Sequence, residues 1–388
     1  MLNAIDGVLP LRCPRHARFA LSPHPSVVLF GHRFHSFRVC GVAGIVLATA
    51  VTAALIEAAG LSFAVGAGLL ASGLATFFVL AMATKLVTGS ETLIYYHHEI
   101  AILLVAAGVL TLSGRAPLPY LDLNALWLGI FLSCGRAGCL MVGCCHGRPH
   151  RWGVRYTEAH AAEGFPAVWV GVRLFPVQAL ESLVVIGIVA AGIVQFLQGR
   201  PAGTVLSTYV VTYAAVRIGL EELRGDAARP SWRGFSEGQW TSLLLVASVL
   251  LGEWRGRLPL SPWHAGVGVA AVATMLWLAV ARRRTRAALQ PRHAGEVAEI
   301  VRKPVSTALE PHVHRTSQTI GISTQALGPR VDASTTLYCL SRADRRLAPG
   351  EARALAGLIV NVAAPGGRAE LLRGRPGIFH LVIRGARR

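Results

Sequence analysis

The stretch Cys134-Gly-Arg-Ala-Gly-Cys-Leu-Met-Val-Gly-Cys-Cys-His-Gly-Arg148 closes an apolar run and is followed by Trp152-Gly-Val-Arg-Tyr156. Four cysteines, two arginines, a histidine and four glycines stand within these fifteen residues. An arginine in the last turns of an apolar segment is expensive in hydrocarbon and calls for a carboxylate or an anionic ligand. Glycines at this density let a helix end open into a loop with backbone groups available to a ligand. The stretch reads as a helix leaving a membrane into a polar mouth.

Composition agrees with a membrane setting. Of 388 residues 53% are apolar and 15% charged, against about 25% charged in a soluble domain. The net charge of +18 is read as membrane orientation and attraction to anionic headgroups rather than as nucleic-acid binding. From Arg282 onward there are 19 Lys and Arg against 7 Asp and Glu, so most of the charge lies in the tail. The N-terminus has no compact apolar core before a small-residue cleavage site, so a removed signal peptide is not expected.

Apolar runs of bilayer length or nearly so are expected at about Val39 to Ala59, Phe63 to Val87, His98 to Leu112 and Leu123 to the cysteine-rich stretch. After a polar insertion, His146 to about Leu174, further runs follow at about Pro176 to Phe196, Gly203 to Leu220, beyond Ser236-Glu-Gly-Gln-Trp240, and Ala265 to Val280. The expectation is an all-α polytopic membrane protein of about seven or eight transmembrane helices, with a small α+β or partly disordered C-terminal module. Its parts are an N-terminal extension (1–30), a membrane domain (31–281), a basic linker (282–330) and the module (331–388). The cluster Arg282-Arg-Arg-Thr-Arg286 reads as cytoplasmic by the positive-inside rule.

Arg136, Glu181, Arg217 and Glu221 sit among apolar residues, and their opposite signs offer mutual neutralisation. Arg217 and Glu221, four apart, share one helix face and can pair. Two readings stand side by side: a structural ion pair, or an arginine held for an anionic ligand, whose phosphate oxygens suit the planar guanidinium fork. Cys134, Cys139, Cys144, Cys145 and His146 offer soft ligands, but no paired Cys-x-x-Cys units occur. Small buried thiols are the ordinary reading, with a metal site or a redox pair as alternatives. No metal and no cofactor is called for.

Together these elements resemble the prolipoprotein diacylglyceryl transferase family. Gly135-Arg-Ala-Gly-Cys-Leu-Met-Val-Gly-Cys-Cys-His-Gly-Arg148 is similar to the signature Gly-Arg-x-Gly-Asn-x-x-x-Gly-x-x-x-Gly-Arg, and Pro176-Val-Gln-Ala-Leu-Glu181 to Pro-Ser-Gln-Leu-Tyr-Glu. Arg217-Ile-Gly-Leu-Glu-Glu-Leu-Arg224 is similar to Arg-Phe-x-x-Glu-Phe-x-Arg, and Gly238-Gln-Trp-Thr-Ser242 to Gly-Gln-x-x-Ser. Order and spacing agree over about Arg33 to Leu251. The chain departs at Cys139, where the family has Asn, at His97-His-Glu99, where it has His-Gly-Gly, and at Phe37, where it has Tyr.

The resemblance implies transfer of the diacylglyceryl group of phosphatidylglycerol to the cysteine thiol of a prolipoprotein lipobox, at the bacterial inner membrane. It implies that Arg136 and Arg217 engage the phosphate, supported by Glu181, Glu221 and Arg224, with His97 as base for the thiol. Gly138, Cys139 and Gln239 complete the expected substrate site, and Gly147 and Arg148 are expected at its outer-leaflet mouth. The alternatives are a divergent paralogue with another acceptor, and a lipid-binding or thiol-redox membrane protein built on the cysteines. Because every motif precedes Ala287, the residues beyond it are expected to be dispensable for the membrane chemistry.

Overall fold

The computed structural model describes residues 9–11, 22–89, 95–226, 230–285, 290–303, 312–326, 335–364 and 368–384. Parts of the expected extension, linker and module lie outside them. Strand β1 (Leu9–Leu11) is followed by the hairpin β2 (Ser26–Leu29) and β3 (His32–His35), which turns at Phe30 and Gly31, both at positive φ as a two-residue hairpin turn requires. Four helices follow: α1 (Ser36–Ala58), α2 (Phe63–Thr88), α3 (Tyr95–Leu112) and α4 (Pro117–Val142). The polar insertion forms β4 (Pro149–Arg155), the short α5 (Glu158–Ala161), a 3-10 turn at Ala167–Trp169 and β5 (Arg173–Leu174). Then come α6 (Val177–Leu197), α7 (Thr204–Leu223), the small ribbon β6 (Ser231–Trp232) and β7 (Phe235–Ser236), α8 (Glu237–Trp254) and α9 (Pro262–Thr285).

Five described helices, over Ser36–Ala58, Phe63–Val87, Pro117–Val142, Val177–Leu197 and Pro262–Ala281, are long and apolar enough to cross a membrane, and Tyr96–Leu112 is a shorter apolar helix. The chain is a mostly helical membrane protein. In α4, 61% of the most apolar window is buried, against 6% in α2, so α4 is the axis of the bundle and α2 its periphery. Close packing around α4 depends on small residues. A Cβ on Gly129 would come within 2.5 Å of Val189 and 2.8 Å of Tyr209, and one on Gly138 within 3.0 Å of Cys40.

The bundle has two chemically different ends. At one, Asp122 of α4 accepts from the N–H groups of Gly203 and Leu206 at 2.7 Å each, satisfying open donors at the start of α7. There, too, His264 of α9 pairs with Glu253 of α8. At the other end the last turns of α4 and α7 meet the first turns of α6 and α8, and a bridge joins Gly147 to Arg224. Because α9 starts at the first end, it delivers the tail to the second.

The tail is a folded domain. It comprises α10 (Pro291–Arg302), β8 (Val313–Arg315), β9 (Ile320–Ala326), β10 (Thr335–Arg342), α11 (Pro349–Ala363), β11 (Arg368–Arg373) and β12 (Phe379–Arg384). Its antiparallel sheet runs β1-β11-β12-β10-β9-β8. In β12 Phe379, Leu381 and Ile383 are buried and alternate with less buried neighbours, the period of a strand with one face on a core.

Two expected boundaries are corrected here. The span 282–330 is not a linker throughout, because it contains α10, β8 and β9, and β9 pairs with β10 across position 331. Within 1–30, the described residues Leu9 to Leu11 are not a separate extension, because they pair with Leu371 to Ala369. The physical reason is a core shared across long sequence distances: Val297 and Val301 of α10 and Leu355 and Ile359 of α11 pack in one cluster with Tyr156 and Trp169 of the insertion. Arg302 ties the same surfaces by donating to the carbonyls of Val168 (2.9 Å) and Val170.

The docked domain also sets two orientation readings against each other. The site mouth and the C-terminal end of α9 at Thr285 lie at the same end of the bundle. A cytoplasmic connector and an outer-leaflet mouth therefore exclude one another.

Candidate active site

Three helix ends supply the charged side chains of the network. In α7 the row Tyr209, Tyr213, Arg217 and Glu221 repeats every four residues and so lies along one face. That face meets Glu181, in the second turn of α6, and Arg136, two turns before the end of α4. Glu181 Oε1 accepts from Arg217 at 2.7 Å and from the Tyr213 hydroxyl at 2.8 Å. Its Oε2 stands 2.9 Å from Arg136 Nε. That Nε–H is not aimed at the oxygen and makes no hydrogen bond, so this contact is an ion pair held by charge alone.

The chain of charges continues outward. Arg217 reaches Glu221 at 2.7 Å, Arg224 reaches Glu221 at 3.4 Å, and Arg224 grips Asp226 with two bonds of 3.0 and 2.9 Å. Arg136, Glu181, Arg217, Glu221 and Arg224 are all buried. A single buried charge there would cost several kcal/mol, and alternating signs are what make the row tenable. Three guanidiniums and three carboxylates balance. Any anion that entered here would have to compete with Glu181 and Glu221 for donors, which a guanidinium with five N–H groups can divide between partners.

Gly238, at the start of α8, lies over this row. A Cβ there would sit 3.5 Å from Glu221 and 3.7 Å from Arg217. Gln239 is used for architecture: it completes a capping box with Ser236, and its amide nitrogen donates to the Ile218 carbonyl (3.1 Å) and to Glu222 (2.8 Å). His97, in the first turn of α3, is half exposed, with Nε2 2.8 Å from Glu237, the first residue of α8. His98 and Glu99 are buried. Both line a cavity of about 260 Å³ between α1, α2, α3 and α4 whose other walls are largely apolar.

The signature stretch has its own local logic. Gly143 ends α4 in the left-handed region at φ 86°, and Cys145 repeats that conformation at φ 54°. Two such reversals fold Cys144 and Cys145 back on Cys139, so that the three thiols lie within 4.8 Å of one another. Gln178 donates to the Cys144 carbonyl at 2.7 Å. Gly147 is threaded between two backbones, and a Cβ there would meet the Phe175 carbonyl at 2.3 Å. Arg148 is half-buried and donates from Nε to the Arg224 carbonyl at 3.2 Å. His146 rests against Phe165 and Trp169, with Nδ1 2.9 Å from the Gly147 carbonyl. Burial pushes its pKa below the ordinary histidine value, which keeps it neutral at pH 7.

The structure thus gathers Arg136, Glu181, Arg217, Glu221 and Arg224 in one network, with Cys139, Gly147 and Arg148 at its edge. Gly138 serves the contact of α4 with α1, where a Cβ would meet Phe37 at 3.2 Å. His97 stands apart with Glu237. Sequence reasoning missed Tyr213, Gln178 and Asp226. The signal for Tyr213 was its position four residues before Arg217, and that for Gln178 its place in the Pro176–Glu181 stretch that resembles the family's Pro-Ser-Gln-Leu-Tyr-Glu; nothing local points to Asp226.

Residues 27–254 match the family described as prolipoprotein diacylglyceryl transferase. A Dehalococcoides mccartyi protein named phosphatidylglycerol--prolipoprotein diacylglyceryl transferase is 32% identical over 115 residues, which are 29% of this chain and 42% of the relative. A Clostridium tetani protein of the same name is 29% identical over 131 residues, 33% of this chain and 50% of the relative. The chain spans half or less of the length of these curated relatives. The family match covers more than half of the chain, from the β2–β3 hairpin to the end of α8, and the chain belongs to the prolipoprotein diacylglyceryl transferase family.

Proposed function

We propose that this chain transfers the diacylglyceryl group of phosphatidylglycerol to the cysteine thiol of a prolipoprotein lipobox segment, in the inner membrane of a bacterium. The observation that carries the reading is the convergence of Arg136 and Arg217, from two helices, on the single buried carboxylate of Glu181. The relatives bear the name of this activity.

In the reaction a thiolate attacks the glycerol carbon that bears the phosphate ester. The S–C bond forms, the C–O bond breaks, and glycerol phosphate leaves with that oxygen and the electron pair. Negative charge grows on the leaving phosphate, where Arg217 and Arg136 provide preorganised donors in a site largely shielded from water. Glu181, Tyr213 and Glu221 hold the two guanidiniums in place, and Arg224 adds charge toward the mouth. The thiol proton must go to a base, because a free thiol has a pKa of about 8.5. His97 takes that role in this reading: with Nε2–H donated to Glu237, Nδ1 is left to accept the proton. The apolar cavity between α1 and α4 suits acyl chains.

The membrane arrangement belongs to the same reading. Eight crossings, α1 to α4 and α6 to α9, place the insertion, the arginine network and the C-terminal domain on one side. The test is complementation of a bacterial strain depleted of its own diacylglyceryl transferase, scored by the mass of a reporter lipoprotein. A gain of one diacylglyceryl group supports the reading; an inserted, folded protein that leaves the reporter unmodified overturns it.

A further inference from the structure

The three thiols at the end of α4 are not used by the mechanism above. Cys139 is buried, Cys145 half-buried and Cys144 exposed, and their sulfurs lie within 4.8 Å of one another. Thiolates bound to one zinc ion at about 2.3 Å sit roughly 3.8 Å apart, so closing on an ion asks only for a small rotation of side chains already assembled. We propose that Cys139, Cys144 and Cys145 form a binding site for a single thiophilic cation of the Zn²⁺ or Cu⁺ class.

Four features of the fold support the site. The backbone is bent for it, since Cys145 holds a left-handed conformation that side chains other than glycine rarely adopt, and such a residue points to a constraint beyond local preference. The bend is braced on each side, with Gln178 on the Cys144 carbonyl, Gly147 N–H on the Phe175 carbonyl and Gly225 N–H on the His146 carbonyl. Positive charge stands beside it in Arg224 and Arg136, which act electrostatically on Cys145, but the ion itself offsets the thiolates, since Glu181, Glu221 and Asp226 already neutralise those guanidiniums. Access exists through the exposed Cys144.

Soft sulfur ligands select Zn²⁺ and Cu⁺ over Mg²⁺ or Ca²⁺. His146 is not a fourth ligand: it is committed to the Gly147 carbonyl and packed on two aromatic rings. Three protein ligands without a fourth leave a position for a ligand from outside the chain. The absence of paired Cys-x-x-Cys units, which argued against a metal in the sequence, does not bear on this site, because the turn at Gly143 and Cys145 creates the proximity.

The test uses the full chain purified in detergent under anaerobic, reducing conditions. It is loaded separately with Zn²⁺ and with Cu⁺, passed over a weak chelator and analysed for metal per chain, with Co²⁺ as a spectroscopic probe. The expected result is one retained ion per chain and a sulfur-to-cobalt charge-transfer band. Retention of Zn²⁺ or of Cu⁺ identifies which cation the site takes. Cys144→Ser, at an exposed position, and Cys139→Asn should each weaken retention by at least about tenfold, whereas Cys339→Ser should not change it. Helix content by circular dichroism and a monodisperse elution profile confirm that each variant is folded. Metal that survives in the Cys144→Ser/Cys145→Ser double variant would overturn the site, as would a folded wild-type chain that retains none. A disulfide among these three cysteines in protein kept reduced would do the same. None of these readouts depends on transferase activity, so the site and the proposed reaction fail or stand separately.

Discussion

Glu181 Oε1 and Arg217 Nη1 lie 2.7 Å apart, although 36 residues separate them and they belong to different helices. Arg136 approaches the other oxygen of the same carboxylate. Glu181 is therefore the point where α4, α6 and α7 are electrostatically joined, and the reactive end of the bundle is assembled around it.

Removal of that carboxylate leaves two buried arginines without their shared partner. Breaking a buried ion pair from one side costs about 3–5 kcal/mol. Glu181→Ala is expected to lower the thermal unfolding temperature in detergent markedly, whereas Tyr213→Phe, which loses one hydrogen bond to the same carboxylate, should cost only about 1.5–3 kcal/mol. Equal and negligible shifts for both variants would contradict a network centred on Glu181.

His97 and Glu237 give a pH signature. If His97 takes the thiol proton, His97→Ala should reduce transfer at pH 7 by about a hundredfold or more. The deficit should shrink as pH rises toward about 8.5, because there the acceptor thiol ionises without help. A deficit that stays constant between pH 7 and 9 would remove His97 from proton transfer.

Deletion of the C-terminal domain tests the shared core. The position of the motifs implied that residues beyond Ala287 are dispensable, but Tyr156, Phe165 and Trp169 of the insertion are buried in one cluster with α10 and α11. Truncation after Ala287 is now expected to expose these rings and to make the β4–β5 insertion susceptible to proteolysis. Protection of the insertion equal to that of the full chain would show that the docking carries little energy.

Topology is open to a direct measurement. Eight crossings require that a reporter fused at the C-terminus and one inserted after Gly199, in the α6–α7 turn, report opposite compartments. Agreement between them would mean that one of the apolar helices does not cross.

Much of the site was legible because its residues obey local rules. Arg217 and Glu221, four apart in an apolar helix, announce a pair, and the structure draws it at 2.7 Å. The partnership of Arg136 with Glu181 has no local signature, and only the family resemblance brought the two into one site. The stretch 282–330 was misread for a related reason. In α10 the buried positions Ala294, Val297, Ala298 and Val301 follow helical spacing, but Glu296 and Glu299 between them and Arg292 and Arg302 beside them dilute it, and the surface they cover lies more than a hundred residues earlier. The cysteines drew attention as possible soft ligands, but which three converge was not legible, because sequence spacing does not report two successive left-handed turns.

The central claim is that Arg217 and Arg136 carry the phosphate through a diacylglyceryl transfer. The most direct measurement supplies purified full-length protein with phosphatidylglycerol vesicles and a synthetic lipobox peptide, and follows peptide mass and released glycerol phosphate together. The account predicts that both products appear in equal amounts, that Arg217→Ala abolishes them in a folded protein, and that Lys85→Ala leaves them unchanged. Equal transfer by Arg217→Ala and the wild type, or peptide modification without release of glycerol phosphate, would contradict it.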